Sequence, residues 1–231
     1  MTRHATLVVL IAWAWSLGGA GVRAQSARDV EAGTFELSAG ALWMGSASFG
    51  SRDATLTSAS GGRFSLFSTA TELAAASGVE GRLGVRVTRV VQAEASASYT
   101  VPQLQTTVSA DTEGGTSVIA SEPIRQISLE GSVLVHPARQ RIGSRGIPFI
   151  SAGAGYVRQL HDGQILIQTG QMYHVGGGAK FPLGSRDGRG KLLKQLGVRV
   201  DARAVVRTGG VTLDGRSHVV PALAASLFTR F

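Results

Sequence analysis

The chain lacks cysteine altogether. This absence excludes a disulfide scaffold, a thiol nucleophile, a cysteine-based zinc or iron–sulfur site and a lipoprotein anchor. Charge is also scarce, because Asp, Glu, Lys and Arg make up 16% of the 231 residues, whereas apolar residues make up 43%. Disordered chains combine low hydrophobicity with high charge, so this composition predicts a folded chain. The length fits one domain or at most two.

Only one long apolar run is present, and it lies at the start of the chain. The run Leu7–Leu17 follows Arg3 and His4 and leads into Val22-Arg23-Ala24. A basic start, an apolar stretch and a small-residue cleavage pattern are typical of a secretory signal peptide. A single anchoring helix is the alternative, but the run is short of the roughly 20 residues that a spanning helix needs. We therefore predict a cleaved signal peptide at residues 1–24, one domain at residues 25–231 and no transmembrane helix.

Apolar and polar residues alternate with a period of two in eight segments, as in strands with one apolar and one polar face. In the clearest segment, Val91–Val101, apolar side chains alternate with Gln, Glu, Ser and Thr. Each segment exceeds the roughly 5–6 residues of an ordinary strand but suits a tilted strand that crosses a bilayer. The eight predicted strands are residues 33–44, 71–82, 90–101, 125–136, 147–158, 171–182, 196–207 and 218–231.

Two kinds of barrel fit this alternation. A soluble, lipocalin-like barrel turns its apolar face inward, whereas a transmembrane barrel turns it toward lipid. Small residues crowd the polar face here, as a narrow interior requires, and long connections alternate with shorter ones, as in outer-membrane barrels. The sequence therefore predicts an all-β fold, an eight-stranded antiparallel transmembrane up-and-down β-barrel, whose closure leaves no unpaired edge in lipid.

Several segments resemble those of small bacterial outer-membrane β-barrel proteins, the OmpA-like eight-stranded group. They are TFELSAGALWM, GVEGRLGVRVTRVVQAEASASY, HVGGGAKFPL, LGVRVDARAVVR and LAASLFTRF. The resemblance implies a Gram-negative outer-membrane location, with outer-membrane lipids and the barrel-assembly machinery as partners. It also implies an assembly signal at Leu223, Ala225, Leu227 and Phe231, from which Thr229 departs. The family's periplasmic peptidoglycan-binding domain has no counterpart here, so cell-wall anchoring by such a domain is not expected.

Two long connections, residues 45–70 and 102–124, are predicted to form β-arms beyond the bilayer. They turn around Gly61-Gly62 and Gly114-Gly115, since glycine pairs between Thr- and Ser-rich strands are turn signals. Outward arms are where ligand binding would lie. Neither arm holds an aromatic cluster or a charge patch, so solvated decoration is favoured and an unknown surface ligand is the alternative.

Charges on the predicted inner face segregate, with acids on the first four strands, where Arg82 is the sole base, and bases on the last three, where Asp201 is the sole acid. The interior of an eight-stranded barrel is just wide enough for side chains to fill it. Opposite walls would therefore pair their charges and plug the lumen, with a narrow polar channel as the alternative. The predicted lumen charge network is Glu36, Glu80, Arg82, Glu94, Glu130, Lys180, Arg199, Asp201 and Arg203. Further inward charges are Glu72, Arg207 and Arg230.

Nothing in the sequence forms a strong catalytic pattern. His161-Asp162 is a lone dipeptide, His174 faces the lumen, and no serine stands two residues after any histidine. The positive charge is scattered without interleaved aromatics, so nucleic acid is not predicted as a partner. We predict a non-enzymatic structural or surface-interaction protein without cofactor, metal or catalytic residues. A small passive diffusion channel is the alternative, and a soluble periplasmic lipocalin-like binding barrel is the weaker one.

Overall fold

A computed structural model describes residues 32–109, 118–137, 141–143, 146–161, 167–185, 195–210 and 216–231. The predicted signal peptide and Gly114-Gly115 lie outside these residues. Regular structure in the described part of the chain consists of strands. They are β1 (Phe35–Met44), β2 (Ala47–Thr57), β3 (Arg63–Leu73), β4 (Ala76–Arg86), β5 (Val91–Thr100), β6 (Gln103–Ser109), β7 (Val118–Pro123), β8 (Arg125–Val135), β9 (Ile147–Leu160), β10 (Ile167–Ser185), β11 (Gln195–Gly209) and β12 (His218–Arg230).

Eight of these strands close into a barrel, in the order β1-β12-β11-β10-β9-β8-β5-β4. Every pair is antiparallel, and β1 completes the circle by pairing with β4 on one side and β12 on the other, where Glu36 lies opposite Arg230. The predicted eight-stranded antiparallel barrel is thus confirmed. We call the end where β1 starts the turn end and the end where β1 finishes at Met44 the arm end. Among the described residues, none forms a helix long and apolar enough to cross a membrane.

The other four strands form a second antiparallel sheet at the arm end, in the order β2-β3-β6-β7, which we call the arm sheet. The β2–β3 hairpin is the predicted first arm, and Gly61 in its turn has a φ of 84°, a left-handed conformation that glycine adopts readily. The two arms were predicted separately, but β3 pairs with β6, with Leu73 opposite Leu104. Pairing gives each arm a neighbour, since an isolated two-stranded hairpin is only marginally stable in water.

The arm sheet is joined to the barrel by an apolar cluster. Ala47, Phe49, Leu73, Ile124 and Val220 are buried there, and Leu104 packs against them. The barrel and the arm sheet thus pack against each other through this cluster.

One predicted strand boundary is wrong. The segment 71–82 was expected to be one barrel strand, but its first residues end β3, and the barrel strand β4 starts at Ala76 and continues to Arg86. Glu72 therefore lies exposed on the arm sheet instead of in the lumen. The period of two continues across this junction because both strands are extended, so the pattern does not mark the point where the chain changes sheets.

The barrel is polar inside and apolar outside, which is the opposite of a soluble lipocalin-like barrel. Trp43, Tyr99, Tyr156 and Tyr173 face outward toward the arm end, and Phe35 faces outward at the turn end. Large aliphatic side chains that are half or more exposed cover the wall between them: Leu37, Val79, Leu83, Leu129, Val133, Ile150, Val175, Leu196, Val219, Leu223 and Leu227.

Candidate functional site: the barrel lumen

The nine residues of the predicted lumen charge network all lie inside the barrel and are at most 8% exposed. Their strands position them by simple alternation, since every second residue of a strand points to the same face. The structure brings the nine into direct contact with one another in two groups. One group lies around Asp201 in the middle of the barrel, and the other lies around Glu36 at the turn end.

The central group joins strands that are not neighbours in the barrel wall. Arg82 of β4 donates two hydrogen bonds to Asp201 of β11, Nη1 to Oδ1 at 2.7 Å and Nη2 to Oδ2 at 3.2 Å. Arg82 also contacts Glu80, which accepts a second hydrogen bond at 3.0 Å from Nη2 of Arg203. Two-pronged arginine–carboxylate bonding fixes the geometry as well as the charge balance. These contacts cross the lumen.

Further contacts extend the central group toward both ends. Arg199 bonds Oε2 of Glu94 through Nη1 at 2.6 Å and Oδ1 of Asp201 through Nε at 3.1 Å. Nε of Arg203 lies 3.3 Å from Oδ2 of Asp201. Asp201 therefore contacts three arginines. On the other wall, Nδ1 of His174 lies 2.8 Å from Oε2 of Glu130.

The turn-end group is built on Glu36. Its Oε2 accepts a hydrogen bond from Nε of Arg230 at 2.9 Å, and its Oε1 contacts Nζ of Lys180. Lys180 is fully buried and also donates to Oε1 of Gln92 at 3.0 Å. Two cationic side chains thus converge on one carboxylate and its neighbouring amide. Gln92, which the sequence analysis placed on the inner face without a role, is part of this group.

Two inward-facing phenylalanines lie among these charges. The guanidinium of Arg199 is 4.7 Å from the ring centre of Phe149, and that of Arg230 is 5.0 Å from the ring centre of Phe228. Lys180 lies within 6 Å of both rings. Such placement allows cation–π attraction, which strengthens when water is excluded. The alternating pattern located both rings on the polar face but gave no sign of this contact.

Inward-facing glycines make room for these long side chains. A Cβ atom on Gly178 of β10 would lie 2.7 Å from the Cβ of Asp201 and 2.2 Å from the carbonyl oxygen of Val200. A Cβ on Gly155 of β9 would lie 2.6 Å from Cγ of Glu130. Separations under 3.0 Å force neighbouring atoms to move. The small residues of the polar face therefore serve the packing of the charged ones.

The arm end of the lumen is filled differently, by an apolar layer that the sequence analysis did not foresee. Its members are Leu42, Met44, Val157, Met172, Val205, Ala222 and Ala224. All stand at inward positions of their strands. One charged side chain, Arg207, enters this layer, and its Nη2 lies 3.2 Å from Sδ of Met44.

Two outer-membrane proteins are among the solved structures with a similar fold. No family model and no curated protein matches the chain. The structure is similar to that of the outer membrane protein OprG from Pseudomonas aeruginosa, with a TM-score of 0.48, 12% identity and coverage of 87% of this chain and 97% of that one. It is also similar to Ail, the attachment invasion locus protein of Yersinia pestis, with a TM-score of 0.36, 13% identity and coverage of 87% and 100%.

The residues of the predicted assembly signal lie on or just after β12. Leu223 and Leu227 are 52% and 58% exposed on the outer wall, and Ala225 between them is also exposed. The backbone N–H of Phe231 donates to the carbonyl oxygen of Phe35 at 3.0 Å. These residues form no part of the lumen. Their predicted role in assembly stays a prediction.

Two further histidines have partners in the structure. Nδ1 of His161 lies 3.0 Å from Oε1 of Glu122, and Asp162 is outside the described residues. Nδ1 of His136 lies 2.7 Å from Nη1 of Arg86. A guanidinium can only donate, so this ring nitrogen accepts and His136 is neutral in that contact. Within the described ranges, no group of three His, Cys, Asp or Glu side chains is placed to hold a metal.

Proposed function

We propose that this chain is a non-enzymatic outer-membrane β-barrel protein with a structural or surface-interaction role, and that its own side chains close its lumen to ions. The observation that carries the closed lumen is the Arg82–Asp201 pair, which spans the interior between non-neighbouring strands at 2.7 Å. The proposed partners are outer-membrane lipids, the barrel-assembly machinery and an unidentified surface ligand of the arms, residues 45–70 and 102–124.

The outer wall supports the membrane location. Large exposed apolar patches are rare on monomeric soluble proteins, because such patches drive association in water. Here half-exposed to two-thirds-exposed aliphatic residues, such as Leu129 at 58% and Val219 at 66%, surround the barrel. Outward aromatic residues at the two ends match the interfacial girdles of transmembrane barrels. The arm sheet would then project from one membrane face and the short turns from the other.

Two successive barriers support a closed lumen. The charged groups around Asp201 and Glu36 fill the turn end and the middle, and the apolar layer fills the arm end. A hydrated ion would have to break several buried ion pairs and then displace the packed side chains of the apolar layer and the buried amides of Gln126 and Gln159 beside it. Each of the five buried carboxylates that could replace part of its water shell already contacts an arginine or lysine.

Location is tested by fractionation of cells that express the full chain. We expect the protein in the outer-membrane fraction and a change in gel mobility when the sample is boiled, because a compact barrel resists detergent until heated. Release into the periplasmic extract without detergent, with no mobility change, would contradict the membrane location.

Closure is tested by ion flux into vesicles that hold purified protein and an ion-sensitive dye. Flotation shows that the protein is incorporated, and gramicidin added at the end shows that the dye responds. We expect flux no faster than in empty vesicles. Steady flux through the unmodified protein would favour the passive diffusion channel instead. Flux through Met172→Ala, with none through the unmodified protein, would assign closure to the apolar layer rather than to the charged groups.

A further inference from the structure

The buried charges of the lumen do not balance among the described residues. Buried carboxylates number five, namely Glu36, Glu80, Glu94, Glu130 and Asp201. Buried arginines and lysines number seven, namely Arg82, Arg86, Lys180, Arg199, Arg203, Arg207 and Arg230. Five of the cations contact a carboxylate. Arg86 contacts His136 instead, and Arg207 contacts Met44.

Arg207 is the less satisfied of these two cations. Its residue is 8% exposed, its Nη2 meets only the weak acceptor Sδ of Met44, and its Nε has no hydrogen-bond partner in the described part of the chain. Glu130 attracts this guanidinium electrostatically but already contacts His174 and Arg203, so Arg207 has no counter-charge in direct contact. A buried charge without such a contact costs several kcal/mol. Arginine keeps its proton in proteins, so it does not avoid this cost by becoming neutral. The geometry therefore calls for an acceptor with negative charge.

A small cleft lies beside this guanidinium, where the barrel meets the arm sheet. Phe49 and Leu73 line it from the arms, Val157 and Gln159 line it from β9, and His218 lines it from β12. It has room for about one water-sized group. Apolar walls weaken the screening of charge, so a single cation in such a cleft attracts an anion more strongly than it would in water.

We propose that this cleft is an anion site, in which chloride or a single carboxylate group accepts a hydrogen bond from Nε of Arg207. Both candidates share one negative charge and an acceptor small enough for the cleft. Because the lining comes from β2, β3, β9, β11 and β12, a bound anion would tie the arm sheet to the barrel mouth. The site thus goes beyond the proposed structural role, since it makes the docking of the arms depend on an external anion.

The direct test is a titration of nitrogen-15-labelled protein in a neutral detergent, following the Nε–H resonance of Arg207. The Arg207→Lys variant, which lacks this resonance, assigns it. Ionic strength is held constant with sodium gluconate, whose anion is too bulky for the cleft. We expect a saturable shift with sodium chloride, with sodium formate or with both. Saturation by chloride alone identifies a halide site, and saturation by formate alone identifies a carboxylate site.

A second readout tests the link to the arms. Trypsin cleaves after Arg52 and Arg63, which are exposed on the arm sheet. We expect the saturating anion to slow this cleavage in the unmodified protein and in Arg158→Gln, which removes an exposed cation from the outer face of β9. In Arg207→Lys the apparent affinity measured by this protection should fall about tenfold or more, which corresponds to 1.4 kcal/mol.

Two results would overturn the proposal. One is an Nε–H resonance that stays in place when chloride or formate replaces gluconate, which would mean that water or a carboxylate of the chain itself satisfies Arg207. The other is anion protection of the arms that is equally strong in Arg207→Lys and the unmodified protein, which would mean that the anion binds elsewhere. The first result needs no variant, because the titration of the unmodified protein decides it.

Discussion

The two halves of the lumen are filled by different kinds of side chain, which interact in different ways. From the turn end to the middle, charged side chains occupy the interior. We call the groups around Glu36 and Asp201 the charged section. At the arm end, the apolar layer of Leu42, Met44, Met172 and their neighbours occupies the same space. Both halves are buried, but the first is held by directional pairs and the second by close packing.

This difference predicts how each half responds to substitution. In the charged section, removal of one partner leaves the other buried and uncompensated, so the cost depends on what remains. In the apolar layer, removal of a side chain leaves a cavity, so the cost depends on how much volume is lost. Arg207 lies where the two halves meet, and it combines a buried charge with apolar neighbours.

The largest effect is expected at Asp201. Replacement by alanine removes a carboxylate that contacts Arg82, Arg199 and Arg203 at once, so three buried cations each lose one of their partners. Breaking a buried pair typically costs 3–5 kcal/mol, and we expect a loss of about that size in the free energy of unfolding. Urea unfolding of the protein in lipid vesicles measures it.

The matched control for this substitution is Asp53→Ala, because Asp53 is exposed on the arm sheet. Surface substitutions of this kind usually change stability by less than about 0.5 kcal/mol. Equal losses for the two alanine variants would show that the charged section does not hold the barrel together.

A smaller effect is expected in the apolar layer. Met172 is 2% exposed, so Met172→Ala leaves a cavity and should cost about 2 kcal/mol or more in the free energy of unfolding. Met172→Leu conserves volume and should cost less than about 1.5 kcal/mol. The same urea unfolding in vesicles measures both. A leucine variant as unstable as the alanine variant would argue against close packing as the source of stability at this end.

The sequence predicted the barrel because each strand repeats one signal many times. In β5, for example, Gln92, Glu94, Ser96 and Ser98 all point inward, and a period of two alone determines that result. The charge network was also accessible, because most acids and bases, Arg82 and Asp201 excepted, stand on different strands and a closed barrel brings those strands face to face. Which carboxylate meets which cation was not predictable, since that depends on the stagger of strands far apart in sequence.

The features that the sequence did not predict depend on the position of a residue along the barrel axis or on pairing between distant segments. Leu42 and Val205 are inward-facing in the alternation, but nothing in one strand shows that they meet at the same level and form an apolar layer. The pairing of β3 with β6 joins polar, Thr-rich segments such as Thr69–Thr71 and Thr106–Thr107. Such segments satisfy their backbone groups equally well with water or with a neighbour, so their composition does not specify a partner.

The smallest effect is expected at a neutral pair that lies in the lumen wall. The hydroxyl groups of Ser98 on β5 and Ser128 on β8 are hydrogen-bonded to each other and buried. Ser98→Ala leaves the hydroxyl of Ser128 without this partner and should cost about 1 kcal/mol in the free energy of unfolding, well below Asp201→Ala. Ser98→Ala/Ser128→Ala should be no less stable than the single variant, because replacing both partners leaves no unsatisfied group.

Urea unfolding of the four proteins of this cycle measures the coupling. A double variant that loses the sum of two single losses would mean that each serine is held by contacts other than this bond. The distinction between directional pairing and packing would then apply only to charged residues in this lumen.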